Sequence, residues 1–176
     1  LITKTISSTQ PGYGISIISK LPIVKWERKE LSKAFIGWWL PHTADSVTKK
    51  YWVKDHARNA LAAYLEDGTV IINTHLSWEP VFRNLQLFQL KRWANQIAKD
   101  KTLRVIIVGD LNISNSFDES VNSFRWRSLV KQLTFPVWKP DRQIDHFLAR
   151  PGTKAKLEPT VASKISDHLP ISITLQ

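Results

Sequence analysis

Four short segments place Asp, Asn and His residues where predicted strands end. They are Asn73-Thr74-His75-Leu76, Gly109-Asp110-Leu111-Asn112, Ile144-Asp145-His146 and Ser166-Asp167-His168-Leu169-Pro170. Each is weak alone, because a His at a strand end is usually a hydrogen-bonded structural residue and an Asp after Gly is usually a turn former. Together they supply what hydrolysis of a phosphodiester needs: a base for water, a donor to the developing charge, and ligands for a metal ion.

The carboxylates of Asp110, Asp145 and Asp167 would repel one another if the fold brought them together. Two like charges about 4 Å apart cost about 4 kcal/mol in an effective dielectric of about 20. A cation or a protonated imidazole among them would remove that cost. Since carboxylate oxygens are the ligands that hard divalent ions prefer, the segments predict a site for Mg²⁺ or Mn²⁺.

The elements that must position these segments can be predicted from hydrophobic periodicity and turn residues. Strands are expected at residues 13–19 and, after a basic connector, 30–39, followed by a long surface loop at 40–58. A hairpin is expected around Glu66-Asp67-Gly68, with strands at 59–65 and 69–75. Apolar residues recurring every three or four positions predict a helix at 83–99. The remaining predictions are strands at 103–108, 143–149 and 171–175 and a second helix at 123–133.

This order mixes strand pairs with strand-helix-strand crossovers, which predicts an α/β (α+β) arrangement of sheets covered by helices. The chain has 176 residues, of which 43% are hydrophobic, so it can bury one substantial core. We therefore expect a single domain over residues 1–176.

The composition favours an anionic partner and excludes thiol chemistry. Lys and Arg number 25 against 15 Asp and Glu, for a formal charge of +10. Such a charge favours nucleic acid or anionic lipid headgroups, although a merely solvated basic surface has the same composition. The chain has no Cys, and therefore no disulfide, thiolate metal site or Cys nucleophile. No apolar run is long enough to cross a bilayer and no signal peptide is evident, so the sequence predicts a soluble protein, with the cytoplasm slightly favoured over secretion.

With the motifs in view, the sequence resembles the endonuclease/exonuclease/phosphatase family over nearly its whole length. YGISIISKLPI is similar to an early strand of that family, INTHLSW to its central His motif and RNLQLFQLKRW to the helix that follows. VIIVGDLNIS, QIDHFLA and ISDHLPI match its Gly-Asp-x-Asn, Ile-Asp and Ser-Asp-His motifs. The resemblance implies a DNase I-like fold, a four-layer sandwich of two mostly antiparallel sheets flanked by helices.

The resemblance also implies roles for particular residues. Asp110 would orient or deprotonate the attacking water, and Asn112 would help to hold that water and the phosphate. Asp167 would bind the metal or its water. His168 would contact the scissile phosphate, oriented by Asp145, and His75 resembles the leaving-group acid of the nuclease and sphingomyelinase branches. The implied activity is a Mg²⁺-dependent phosphodiesterase or nuclease that uses direct water attack.

The sequence departs from the family's pattern at its beginning. The family carries an Asn and its principal metal-binding Glu on two strands that precede YGISIIS, and the residues before that run contain neither a Glu nor an Asn. Because the chain also lacks Met, we expect an N-terminally shortened domain. Two alternatives therefore stay open: a phospholipid phosphodiesterase of sphingomyelinase type, and a non-catalytic phosphate- or nucleic-acid-binding domain. A serine hydrolase is disfavoured, since the chain has no Gly-x-Ser-x-Gly motif.

Overall fold

The computed structural model of the chain describes residues 14–35, 37–44, 47–114, 121–161 and 165–176. Ten strands and one helix lie within these ranges. In chain order they are β1 (Ile23–Glu30), β2 (Gly37–Ala44), β3 (Val47–Lys54), β4 (Asn59–Leu65), β5 (Thr69–His75), α1 (Pro80–Ile97), β6 (Arg104–Asp110), β7 (Arg127–Ser128), β8 (Asp145–Ala149), β9 (Ala155–Glu158) and β10 (Ser172–Leu175).

Six strands form one mixed sheet in the order β1-β4-β5-β6-β8-β7. β5 and β6 run parallel, while the other neighbours in this sheet run antiparallel. α1 joins the parallel pair, as the crossover that parallel neighbours need. The other strands form two antiparallel pairs, β2-β3 and β9-β10. The predicted mixture of strand pairs with a strand-helix-strand unit is therefore confirmed.

The β4-β5 hairpin forms as its sequence predicts. Gly68 has a φ of 79°, which few other residues adopt, and its amide donates to the Leu65 carbonyl. The Asp67 carboxylate accepts hydrogen bonds from the amide and the hydroxyl of Thr69, at 2.8 and 3.1 Å. These bonds fix the register of β5, and with it the position of the residues at its end.

α1 packs against one face of the central strands. It begins at Pro80, which has no backbone N–H, and this loses no hydrogen bond because the first amides of a helix have no partner within it. The Glu79 carboxylate accepts a hydrogen bond from the Phe82 amide at 2.9 Å. Burying a Leu side chain contributes roughly 1.5–3 kcal/mol, so the buried face of α1 holds the helix on the sheet. The core cluster that it joins includes Ile72, Leu87, Leu90, Trp93, Ala94 and Ile107. No helix within the described ranges is long and apolar enough to span a membrane.

The chain before β4 differs from the prediction. The basic run at 24–29, expected as a connector, lies within β1, and the strand expected at 30–39 is interrupted by an irregular stretch at 31–35. Residues 40–58, expected as a loop, contain most of the β2-β3 hairpin. The prediction relied on alternating polarity, and strands at the edge of a sheet or in a separate hairpin tolerate charged residues without it.

Two further predictions are wrong. Tyr13 lies outside the described residues, and residues 14–19 contain no strand; the Ser16 carbonyl accepts from the Asn73 side chain at 2.8 Å. The helix expected at 123–133 is replaced by turns and β7, because Phe124 and Arg125 adopt left-handed φ values of 54° and 64°. Strand β9 was not anticipated.

Candidate functional site

The carboxyl ends of β5 and β6 and the amino end of β8 meet at one edge of the sheet. The register pairs His75 with Asp110 and Asp110 with Asp145, so three polar residues from three strands stand side by side. His75 Nε2 lies 3.3 Å from Asp110 Oδ2. At the other end, His168 Nδ1 lies 2.8 Å from Asp145 Oδ2. The four side chains form a row, which we call the His-Asp-Asp-His row.

Gly109 makes the close approach of β5 and β6 possible just before Asp110. Its φ is 128°, and a Cβ atom at this position would lie 1.9 Å from the Thr74 carbonyl oxygen. No side chain fits there without separating the two strands. The Gly of the Gly-Asp-x-Asn motif is therefore a steric requirement of the site.

Asp110 is held by the turn that follows it. Its Oδ1 accepts the Asn112 amide at 2.7 Å, an arrangement that Asn112 reaches with a φ of 53°. Asn112 Nδ2 in turn donates to the Leu76 carbonyl at 2.9 Å. Burial raises the pKa of Asp110 to about 6, and the negative charge of Asp145 adds to the rise. A carboxyl with this pKa can exchange a proton near neutral pH.

Asp145 and His168 form the second half of the row. The hydrogen bond to Asp145 raises the pKa of His168, which favours the imidazolium. Ser166 positions this residue, because its hydroxyl accepts the His168 amide at 3.0 Å. A cavity of about 320 Å³ lies beside the pair and is lined by Asp145, Ser166 and His168 among others. The pair can present a positively charged donor to an anion.

His75 has the opposite electrostatic character. Burial lowers its pKa to about 4, and the nearby charge of Arg58 contributes. His75 is therefore neutral at pH 7, and its contact with Asp110 joins a neutral imidazole to a carboxyl group rather than two opposite charges. Such a contact orients the carboxyl of Asp110.

The residues that could hold a metal ion differ from the residue predicted to do so. Ligand atoms of Asp110, Asp145 and His168 lie within 4.8 Å of one another, and Asp167 is not part of this group. Asp167 is exposed, and its carbonyl accepts the Val137 amide at 2.7 Å. Two carboxyl groups at this spacing fit a hard divalent ion, because the ion would offset the burial and the repulsion by Asp145 that raise the pKa of Asp110.

Three residues near the row were not predicted from the sequence. Arg58 is buried and pairs with buried Asp55, with Nη2 2.6 Å from Oδ1, and its Nη1 donates to the His75 carbonyl at 3.5 Å. Arg83 on α1 donates to the Asn112 carbonyl at 2.6 Å. In the sequence these are isolated charged residues in a polar segment and on a helix, and nothing local distinguishes them from surface residues.

Solved structures of several proteins resemble this fold. Mannosyl-6-phosphatase from Bacteroides thetaiotaomicron is 17% identical, with a TM-score of 0.59, over 89% of this chain and 67% of its own. Sphingomyelinase C from Streptomyces griseocarneus is 17% identical, with a TM-score of 0.58, over 96% and 70%. A mutant of beta toxin from Staphylococcus aureus, solved with bound magnesium ions, is 13% identical, with a TM-score of 0.50, over 65% and 56%.

These likenesses confirm the expected DNase I-like fold. The chain spans about two thirds of the length of the first of these structures, 67% of mannosyl-6-phosphatase. No curated protein sequence matches the chain. A sequence model of the endonuclease/exonuclease/phosphatase family, however, matches residues 4–168, and the chain therefore belongs to that family.

Proposed function

We propose that the chain hydrolyses phosphoesters by metal-assisted, direct attack of water. The observation that carries this proposal is the His-Asp-Asp-His row, in which a carboxyl group of raised pKa and an imidazole of raised pKa lie on either side of Asp145. Hydrolysis of a phosphoester needs one group that accepts a proton from water and one that donates to a phosphoryl oxygen. The row supplies both from one sheet edge.

Asp110 is the proposed base. A catalytic base is most effective when its pKa lies near the operating pH, and burial brings the pKa of Asp110 to about 6. The Asn112 amide holds Oδ1 and the His75 imidazole lies against Oδ2, so the carboxyl group is oriented from both sides. Asn112 is proposed to help to hold the water and the phosphate, as the family resemblance implies.

His168 is the proposed donor to the phosphate. Its Nδ1 is engaged by Asp145, which leaves Nε2 as the nitrogen that can contact a phosphoryl oxygen. The imidazolium would stabilise charge that develops on that oxygen without transferring its proton.

We propose a different role for His75 from the one that the resemblance implies. A leaving-group acid must be protonated, and a pKa of about 4 keeps His75 neutral at pH 7. We propose that it orients Asp110, with Arg58 fixing the strand end through the His75 carbonyl. The leaving group then takes its proton from a water molecule.

A divalent ion fits beside Asp145, and we propose Mg²⁺ or Mn²⁺; Asp110, as the base, would contact the ion only through the water that it orients. When bound, such an ion neutralises phosphoryl oxygens and so lowers the cost of attack by water. Asp167 is exposed and directly precedes His168, and it stays our candidate for a ligand of an ion-bound water.

The favoured substrate is a phosphodiester of nucleic acid, because the chain carries a formal charge of +10. A phospholipid headgroup is the second candidate, and the specific observation that favours it is an apolar surface on α1, described below. A phosphate monoester is a further substrate to test, because mannosyl-6-phosphatase is among the similar structures.

The test is hydrolysis of plasmid DNA, single-stranded RNA, sphingomyelin and a sugar phosphate, each with Mg²⁺ and with EDTA. Asp110→Asn removes the proposed base, and Asp141→Asn, at an exposed Asp outside the row, is the matched control. We expect metal-dependent turnover that Asp110→Asn abolishes and Asp141→Asn leaves intact. Binding of a substrate without turnover in any of the four reactions would instead identify a non-catalytic phosphate-binding domain.

A further inference from the structure

The solvent side of α1 carries an apolar stripe. Val81, Leu85 and Phe88 are 70%, 42% and 45% exposed, and their spacing of four and three residues places them on one side of the helix. An amphipathic helix on a sheet normally directs polar residues outwards. The stripe is therefore not explained by the packing of α1 on the sheet.

Exposed Phe side chains flank this stripe on both sides. On one side, residues 31–35 lie along the helix, where the Ser32 amide donates to Gln89 Oε1 at 2.9 Å, and they end at Phe35, which is 77% exposed. On the other side lies Phe124, which is 57% exposed and whose ring centre is 5.5 Å from that of Phe88. We call Phe35, Val81, Leu85, Phe88 and Phe124 the apolar platform.

The turn that carries Phe124 is held by hydrogen bonds from a buried lysine on α1. Lys91 on α1 is buried, and its Nζ donates to the Val121 carbonyl at 2.7 Å and to the Ser123 hydroxyl at 3.1 Å. Phe124 and Arg125 then adopt left-handed φ values, 54° and 64°. Residues other than Gly persist in this region only where the surrounding structure enforces it, which often happens at functional surfaces. The fold thus fixes Phe124 in an outward position.

The segments that form the platform are basic, while acidic residues next to them in sequence include Glu30, which pairs with Arg28, and Asp118 and Glu119 before Val121. Among the described residues of the three segments that form it (31–35, 80–97 and 121–127) there is no Asp or Glu. The exposed cations of these segments are Lys33, Arg92, Arg125 and Arg127. An apolar centre with a cationic surround is complementary to a surface that is apolar within and anionic at its boundary.

We propose that the apolar platform docks on an anionic phospholipid bilayer. Phe, Leu and Val side chains enter the boundary between headgroups and acyl chains, while the surrounding cations contact anionic headgroups. A second copy of this chain fits less well, because it would bring the same cations together. Single-stranded nucleic acid fits less well too, because Val81 and Leu85 offer no ring for base stacking.

The helix that carries the platform also contacts the candidate active site, from its opposite side. Arg83, two residues from Val81, donates to the carbonyl of Asn112, which lies beside Asp110. The platform and the His-Asp-Asp-His row are therefore linked through the first turns of α1. The proposal does not depend on the proposed activity, since docking can be measured without turnover.

The experiment is sedimentation of the protein with large unilamellar vesicles in EDTA, which prevents metal-dependent hydrolysis of the lipid. Vesicles of phosphatidylcholine alone are compared with vesicles that also contain phosphatidylserine, over a range of NaCl concentrations. We expect binding that requires phosphatidylserine and weakens with salt. Phe88→Ser/Phe124→Ser should reduce partitioning at least tenfold. Arg92→Gln/Arg125→Gln should reduce it roughly 10- to 30-fold, since each Arg near an anionic surface contributes about fivefold.

Matched controls are Val24→Ser, at an exposed Val on β1, and Lys101→Gln, at an exposed Lys beyond the end of α1; both should bind as the unmodified chain does. The Arg pair leaves the apolar residues intact, so it remains informative if the Phe pair fails to fold. The proposal is overturned if phosphatidylserine has no effect or if both double variants bind normally. It is also overturned if the platform variants change the mass of the protein in solution, which would identify the platform as a contact between copies.

Discussion

Replacing Asp110 with Asn removes a charge that the fold holds at a cost. The pKa of Asp110 rises from 3.8 to about 6, chiefly because the side chain is buried. A rise of this size corresponds to about 3 kcal/mol of free energy lost when the ionised group is buried on folding. The side chain is 16% exposed, so solvent screens little of this cost. Asn keeps an oxygen that can accept the Asn112 amide, and Asp110→Asn should therefore stabilise the protein in the absence of metal.

The effect has a definite dependence on pH. Because the folded-state pKa of Asp110 is raised, the stability that its protonated form contributes is fully present below pH 3.8 and is lost as the pH rises through about 6. The advantage of Asp110→Asn should thus be absent near pH 3, grow between pH 4 and pH 6, and stay nearly constant above pH 7. Titrating groups far from Asp110 are common to both proteins and cancel in the difference, whereas His168, whose pKa Asp110 helps to raise, adds a smaller pH dependence of its own.

Urea unfolding in EDTA measures this difference. At pH 8 the midpoint of Asp110→Asn should lie about 1–2 M urea above that of the unmodified chain, and at about pH 3 the two midpoints should coincide. Asp141→Asn changes a 67% exposed carboxylate and should shift neither midpoint. The reasoning would be refuted if Asp110→Asn were less stable than the unmodified chain at pH 8. It would also be refuted if the difference between the two urea midpoints were the same at both pH values.

Three other outcomes are expected. Gly109→Ala should lower the melting temperature by far more than Gly152→Ala, because both positions have positive φ but only Gly109 would bring a Cβ atom against the Thr74 carbonyl; equal losses would remove the steric argument. His168→Ala should lower turnover by about 10²–10³-fold, with a melting temperature close to that of the unmodified chain; a large loss of stability with activity retained would contradict its role. Asp167→Asn should raise the Mg²⁺ concentration needed for half-maximal turnover, and an unchanged Mg²⁺ dependence would exclude it as a ligand.

The sequence was informative wherever a pattern was local. The Asp-Gly turn predicted the β4-β5 hairpin, apolar residues at helical spacing predicted α1, and the apolar run before Gly109 predicted β6. Each of these signals lies within a few residues of the structure that it specifies. For the same reason, the motifs at strand ends could indicate a common site, since the sheet brings those ends together.

The remaining features depend on contacts that are distant in the sequence. The β2-β3 hairpin has no alternating polarity, and the turn at Phe124 is held by Lys91, which lies on another element. The role of Arg58 depends on its burial with Asp55 behind His75. The low pKa of His75 follows from its own burial and from the nearby charge of Arg58, so its protonation state at pH 7 could not be predicted from the residue type alone.

The assembly of the row from distant parts of the chain also constrains folding. During synthesis β5 and β6 emerge first and bring His75 to Asp110, but Asp145 joins them only when β8 pairs with β6, and His168 joins only when its segment reaches Asp145. Contacts this far apart in sequence form late and slowly compared with local ones. A nascent chain that ends short of His168 would thus lack the last member of the row, the proposed donor to the phosphate, and full catalytic competence would report that the chain has folded as far as His168.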